Sequence, residues 1–227
     1  MDYDTVIVPT FMSYKDNTAQ KALLNQFLEE QGVQLSSEVL DKLYDYADLV
    51  VETKQFGNLI SAKDSEKFLS RHIADSLVPY IYIIAHSTSH IPHLKWADMG
   101  AGAGCPVFPL AIVMPEIQFY AVEPRNMRVQ FMNYAKEKLQ LQNLTVVGKR
   151  FETSGLSGLD FISCRALSTF ENDWERAQAG LKKGGLFLTL KSYNNIVHLE
   201  NDPKIIVHKY TLPQEEQVYA LVTRGNE

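Results

Sequence analysis

The sequence has no apolar run long enough to cross a bilayer. Its most apolar stretch, Leu77 to Ala85, is short and contains Pro79. Met1-Asp2-Tyr3-Asp4 lacks the basic residues that open a secretion signal, so a cytoplasmic protein without a membrane partner is expected. Cysteine is scarce. Cys105 and Cys164 are the only two, and they are expected as free thiols rather than a disulfide. Basic charge is not in excess. The net charge is −5, so bulk electrostatics announce no nucleic-acid partner. Phosphate contacts would need locally clustered Lys and Arg. No metal is expected, no repeat or low-complexity tract is present, and a monomer is expected.

What is present suits an ordinary globular chain. The 227 residues are 45% hydrophobic and 22% charged, enough to bury a real core. Residues 1–18 read as a lead-in with a short strand at Thr5 to Val8. From Ala19 the periodicity is helical, with Leu23, Leu24, Phe27 and Leu28 on one face and Gly32 as the stop. Ser36 and Ser37 can cap a second helix carrying Leu40, Leu43, Ala47 and Val50, with Gly57 beyond its end. Ser61-Ala62-Lys63-Asp64 resembles a capping box for a third helix with Phe68 and Leu69. His72 to Ala85 should continue in helical pieces around Pro79. Residues 1–90 thus read as a helical extension, closed by a connector from Ser87 to His93.

Residues 91–227 read differently. Leu94–Met99, Gln118–Glu123, Leu144–Val147, Leu159–Cys164 and Leu186–Lys191 are short apolar runs of strand length. Helical stretches at Pro106–Met114, Asn126–Leu141 and Phe170–Leu181 lie between most of them. This alternation predicts an α/β fold with a parallel sheet covered on both faces. Lys204–Leu212 and Gln217–Thr223, joined by Pro213-Gln214-Glu215-Glu216, read as a closing hairpin, giving seven strands.

One stretch organises this half. Trp96-Ala97-Asp98-Met99 runs into Gly100-Ala101-Gly102-Ala103-Gly104-Cys105-Pro106. Glycine lets a backbone turn tightly and approach a ligand closely. Ligands of open α/β sheets bind beyond the carboxyl ends of the strands. Glu123 stands at the tip of the second strand, about 20 residues past the loop, where an acid can accept both ribose hydroxyls. A plain tight turn and a solvated strand end are the bland readings of these features. The glycine order departs from the G-x-G-x-x-G of dinucleotide sites. Asp98 beside the loop suits an ammonium and would repel a pyrophosphate. These residues favour S-adenosylmethionine (SAM), which has an amino acid, a ribose and no phosphate.

The same residues resemble a known family. Asp98 to Pro106 with Pro109-Leu110-Ala111-Ile112 is similar to the loop of the bacterial small-subunit rRNA guanine-N7 methyltransferases (RsmG, or glucose-inhibited division protein B). Asn58-Leu59-Ile60-Ser61 resembles the family's Asn-Leu-Thr segment, and Arg71-His72-Ile73-Ala74-Asp75-Ser76-Leu77 its Arg-His-x-x-Asp-Ser-Leu signature. Arg128-Val129-Gln130-Phe131, Ser163-Cys164-Arg165-Ala166 and Leu190-Lys191 match later segments. The resemblance covers roughly residues 20–195. It implies a Rossmann-like class I methyltransferase with an N-terminal helical layer, acting on N7 of a guanosine in 16S rRNA, as rRNA or as a small ribosomal subunit particle. It places Gly100, Cys105, Phe151, Glu152 and Arg165 at cofactor positions, with Asp98, Ala101, Gly102 and Glu123 beside them. Cys105, Val107, Met127 and Ser192 depart from the family's usual Leu, Gly, Lys and Gly.

Guanine N7 has an available lone pair, so the chain can work by positioning alone. No Asn-Pro-Pro-Tyr-like tetrad is present to grip an exocyclic amine. Cys164 near a strand tip is expected as a buried thiol rather than a nucleophile. Arg165 is the expected catalytic residue, its fork matched to a phosphate or to guanine O6, with a rim ion pair as the bland reading. His72 is expected as a core histidine tied to Asp75. Arg128, Arg150 and Lys191 are expected to touch RNA. Lys149, Arg150, Lys182, Lys183 and Lys191 are read as a broken basic rim along the strand ends, or else as solvated surface. Two other functions stay open at this point: a small-molecule methyltransferase with the helical layer as a lid, and a non-catalytic SAM-binding ribosome-assembly factor.

Overall fold

The structure, a computed structural model, describes residues 12–86 and 93–227. The strand expected at Thr5 to Val8, the connector from Ser87 to Pro92 and the boundary at residues 90/91 lie outside the described residues. The first helices follow their caps. Helix α1 (Thr18–Glu30) starts where the Asn17 side chain accepts from the Gln20 N–H. Helix α2 (Ser37–Glu52) starts at Ser36, whose hydroxyl accepts from the Val39 N–H. Helix α3 (Ala62–Ser65) starts at Ser61, which accepts from the Asp64 N–H and donates back to the Asp64 carboxylate at 2.7 Å. Helix α4 (Ala74–His86) follows a π-helical turn at Phe68–Ile73.

Pro79 was expected to divide that region, and it does not. It lies inside α4, where it forfeits the N–H that would reach the Asp75 carbonyl. Residues Ala74 to Pro79 and Ile81 to Ile83 of α4 are all buried, and that packing outweighs one lost hydrogen bond. The irregularity sits earlier, in the wide turn at Phe68–Ile73.

The second half forms seven strands: β1 (Lys95–Met99), β2 (Gln118–Val122), β3 (Leu144–Val147), β4 (Leu159–Arg165), β5 (Leu181–Ser192), β6 (Ile205–Thr211) and β7 (Val218–Gly225). They form one sheet in the order β3-β2-β1-β4-β5-β7-β6. The first five strands are parallel, and β7 pairs antiparallel with both β5 and β6. The α/β sheet with its closing hairpin is therefore as the sequence reads. Helices α5 (Val107–Val113), α6 (Asn126–Leu139) and α7 (Phe170–Gln178) connect the parallel strands.

Side chains alternate between the two faces with the period of two that a pleated strand imposes. Trp96, Phe119, Leu144, Leu188, Leu190 and Leu221 share one core with α4, α5, α6 and the buried residues of α1 and α2. Ala97, Met99, Ile162, Cys164 and Phe187 face the other way, against Phe170 and Ala177 of α7. The N-terminal helices thus pack directly on the sheet's first face.

Strand β5 begins earlier than expected. The apolar run predicts it from Leu186, yet the strand runs from Leu181, with a register shift opposite Leu159 and Phe161. Leu181 pairs with Leu159 at the start of β4, whereas Leu190 pairs with Arg165 at its end. Lys182 and Lys183 therefore sit near the opposite end of the strands from the tips, roughly 20 Å away along β4. Lys182 forms an ion pair with Asp160 there. The expected basic rim loses both residues.

Candidate active site

The strand β1 ends in the glycine loop, which folds over the tip of β2. The N–H groups of Gly100 and Ala101 both donate to the Val122 carbonyl, at 2.8 and 3.1 Å. Gly100, Gly102 and Gly104 all have positive φ, at 70°, 60° and 105°. Gly104 has the least space: a Cβ there would stand 2.4 Å from the Phe108 ring and 3.0 Å from the Tyr46 hydroxyl. At Gly102 a Cβ would meet only the Gly100 carbonyl, at 3.8 Å. The glycines therefore do different work. Gly104 allows close packing under the loop, and Gly102 leaves its outer side open.

That open side borders a cavity of about 530 Å³. The volume falls in the roughly 300–1,000 Å³ range of small-molecule sites. The loop residues Gly100, Ala101, Gly102 and Cys105 line it, with Glu123 and Arg165 opposite. Leu59, Ile60 and Phe68, from the helical layer, complete the wall. Sequence reading named Asn58-Leu59-Ile60-Ser61 only as a resemblance; its spatial role has no local signal.

Glu123 is 1% exposed and fully engaged. Its Oε2 accepts from the Gly102 N–H at 3.0 Å, and its Oε1 from the Arg125 N–H and Nε at 2.9 and 2.8 Å. Burial works against its charge, but the hydrogen bonds from Arg125 and Gly102 outweigh it and hold the carboxyl below its usual range. Arg125, which the sequence did not mark, is the residue that keeps Glu123 ionised.

Asp98 sits two residues before the loop on β1 and does not border the cavity. Ser163 of β4 accepts from Trp96 Nε1 at 3.0 Å and donates to Asp98 Oδ1 at 2.7 Å. Asp98 Oδ2 has no hydrogen-bond partner among the described residues. Burial pushes its pKa up to about 7, and the Ser163 hydrogen bond and the Arg165 charge offset only part of that. A buried acid with a vacant oxygen is one that an added cation nearby would stabilise.

Arg165 ends β4 on the face toward α4. Its Nη1 donates to Asp75 Oδ2 at 3.1 Å, and Asp75 Oδ1 accepts from the Tyr210 hydroxyl of β6. Arg165 also borders a second cavity of about 440 Å³ beyond the tips of β4 and β5. Asp75 belongs to the Arg-His-x-x-Asp-Ser-Leu segment, so that segment supplies the anchor for Arg165. Tyr210 carries no comparable signal.

His72 lies differently from expectation. Its Nε2 approaches Asp64 at 3.4 Å, while Asp75 is taken by Arg165 and Tyr210. Burial, reinforced by the Arg165 charge, lowers its pKa to about 4, so it is neutral near pH 7. Cys105 is buried against the Tyr46 hydroxyl at 3.3 Å, and burial raises its thiol pKa. Because Tyr46 donates to the Ala103 carbonyl at 2.9 Å, the thiol is left as the donor to Tyr46. Cys164 is a buried thiol beside Thr189 and Asp173 on the α7 face, with its pKa raised by burial. That state opposes nucleophilic use.

The remaining expected residues scatter. Phe151 and Glu152 border a separate cavity beside α7, and Glu152 pairs with Arg176 at 3.3 Å. Phe151 is buried because it fills the space left by Gly180, where a Cβ would stand 2.6 Å from its ring. Arg128 donates to the Leu59 and Asn58 carbonyls at 2.7 and 3.0 Å, which clamps α6 to the helical layer. Lys191 points to the α7 face, where it is buried against Asp173 at 2.6 Å and the Ser168 carbonyl. Neither is a free cation awaiting RNA. Lys149 and Arg150 stay exposed beyond β3, so the rim is reduced to them.

The family rRNA small subunit methyltransferase G (GidB) matches residues 39–220. A Staphylococcus epidermidis protein of that name is 34% identical over 173 residues, covering 74% of this chain and 70% of the relative. One from Staphylococcus aureus strain Newman is 30% identical over 205 residues, covering 85% and 84%. Among solved structures, a SAM-dependent methyltransferase from Aquifex aeolicus matches with a TM-score of 0.53 at 16% identity. It covers 74% of this chain and 100% of that one, and bears on the fold alone. The matched span includes the glycine loop, Glu123, the Asp75–Arg165 pair and Tyr219: the chain belongs to the rRNA small subunit methyltransferase G family.

Proposed function

We propose that this chain transfers a methyl group from SAM to N7 of a guanosine in 16S rRNA, as rRNA or within the small subunit particle. The observation that carries the reading is Arg165. It borders both the glycine-loop cavity and the cavity next to it, so one fixed cation stands between a cofactor site and an acceptor site.

The residues present fit the cofactor. Asp98 offers a vacant buried oxygen near the loop, suited to an ammonium. Glu123 offers a buried carboxylate at the tip of β2, suited to ribose hydroxyls once the exposed Arg125 side chain gives up its hydrogen bonds to it. Gly102 leaves the approach open. When bound, the cofactor supplies a sulfonium methyl, which passes to the acceptor lone pair while the C–S bonding electrons return to sulfur. The chain's share is positional. Arg165, braced by Asp75, can hold guanine O6 and so fix N7, whose lone pair needs no base. The neutral His72 and the buried Cys164 are consistent with a site that moves no proton.

On this reading Gly100, Ala101, Gly102, Cys105 and Glu123 hold the cofactor and Asp98 acts through the field. The N-terminal helical layer, described over residues 12–86, packs on the sheet and forms one wall of the cofactor cavity. The protein works as a monomer in the cytoplasm, where its ribosomal substrate is found. The test is transfer of labelled methyl from SAM to small-subunit particles, or rRNA, lacking the modification, followed by mapping of N7-methylated guanines. One new N7-methylguanosine is expected; no transfer to either substrate would overturn the reading.

A further inference from the structure

We infer that the cavity beyond the tips of β4 and β5 receives the acceptor guanosine flipped from its strand, with Tyr219 as its stacking platform and Arg71 on its phosphate. This rests on the function proposed above and names the part of the chain that would hold the RNA. The cavity, about 440 Å³, shares Arg165, Ala166 and Leu167 with the cofactor cavity, so an occupant of one abuts an occupant of the other.

Its lining has the chemistry a nucleotide needs. Tyr219 of β7 borders it, packed on the α4 face of the sheet with Tyr210 stacked behind at 5.9 Å between ring centres. An aromatic ring braced by a second ring offers a rigid surface for a base. Asn195 and Ser192 add amide and hydroxyl groups at the rim. Arg71 completes the wall. Its contacts with Asp64 and Glu215 are long, 3.6 and 4.0 Å, well beyond the roughly 2.7–2.9 Å of a tight charge-assisted hydrogen bond. Arg71 can therefore turn to a phosphate at little cost, unlike Arg128 or Lys191, which are locked in place. A chain of net charge −5 needs such local cations to meet RNA at all.

The test compares Tyr219→Ala, Tyr219→Phe and Arg71→Ala with the wild type on unmodified small-subunit particles. SAM affinity, measured by calorimetry, serves as the folding control. Tyr219→Ala should raise KM for the particle roughly 5- to 150-fold. Tyr219→Phe, which keeps the ring, should recover most of that loss. Arg71→Ala should lower the slope of log affinity against log salt by about 1. SAM affinity should be unmoved in all three. A wild type that methylates N7, with Tyr219→Ala at wild-type KM or Arg71→Ala at wild-type slope, would overturn this assignment alone. A wild type that methylates no guanine would overturn the proposed function and this inference with it.

Discussion

Arg165 on β4 and Asp75 on α4 are 90 residues apart in sequence, and their side chains meet at 3.1 Å. Asp75 is pinned in turn by the Tyr210 hydroxyl of β6. The cation between the two cavities is thus held by an acid from the helical layer and a phenol from the terminal hairpin.

Asp75→Ala should therefore damage both stability and turnover. Removing one partner of a largely buried ion pair costs about 3 kcal/mol, at the low end here because the Arg165 side chain is 22% exposed. Tyr210→Phe should cost about 1 kcal/mol. Urea unfolding gives both values. In single-turnover assays Asp75→Ala should slow methyl transfer far more than it weakens SAM binding. Wild-type turnover in that variant would sink the bracing role.

The glycines of the loop should separate by assay. Gly104→Ala drives a methyl into the Phe108 ring at φ 105° and should cost on the order of 3 kcal/mol of stability. Gly102→Ala meets open space, so its stability loss should be about 1 kcal/mol. Its methyl would intrude on the cofactor side instead, and SAM affinity should fall roughly 5- to 150-fold. Thermal unfolding and calorimetry would show whether the two effects divide in this way.

Asp98 should make cofactor binding pH-dependent. Its pKa, raised by burial to about 7, leaves much of it protonated at neutral pH in the free protein. An ammonium nearby favours the carboxylate, so binding should release a proton below about pH 7. SAM affinity should then rise with pH and level off above about 7. The sign for folding is opposite: the native state binds the extra proton between the unfolded value of 3.8 and about 7, so this group's share of stability falls as pH rises through that window. Calorimetry in buffers of different ionisation enthalpy measures the proton release. Asp98→Asn should abolish it; equal release in both proteins would refute the assignment.

Lys191 distinguishes a structural ion pair from an RNA contact. Its side chain is 7% exposed and that of Asp173 is fully buried. Lys191→Met should destabilise by about 3–5 kcal/mol, because Asp173 is left buried and unpaired. The salt dependence of RNA binding should stay at the wild-type slope. A slope lowered by about 1 would instead restore Lys191 to the RNA surface.

Much of this was open to reading in the residues themselves. Leu144–Val147 is a strand at the bounds its apolar run gives, and Ser36 and Ser61 cap the helices they precede. Such signals are local. Lys191 and Arg165 both end apolar strands, and only sheet pleat and pairing show that they face opposite helices. Lys182 and Lys183 read as part of a basic rim along the strand ends; strand register puts them at the other end of the sheet. The partners that fix the site's charges, Asp75 for Arg165 and Asp173 for Lys191, lie 90 and 18 residues away. No spacing rule joins them.

The unbroken core shared by the N-terminal helices and the first sheet face has a practical consequence. A chain shortened to begin at Lys95 would expose the apolar sides of Trp96, Phe119 and Leu221 and leave Arg165 without its acid. Such a fragment would be an aggregating half-molecule, so chimeras that exchange target specificity must graft the helices and the β4 tip together.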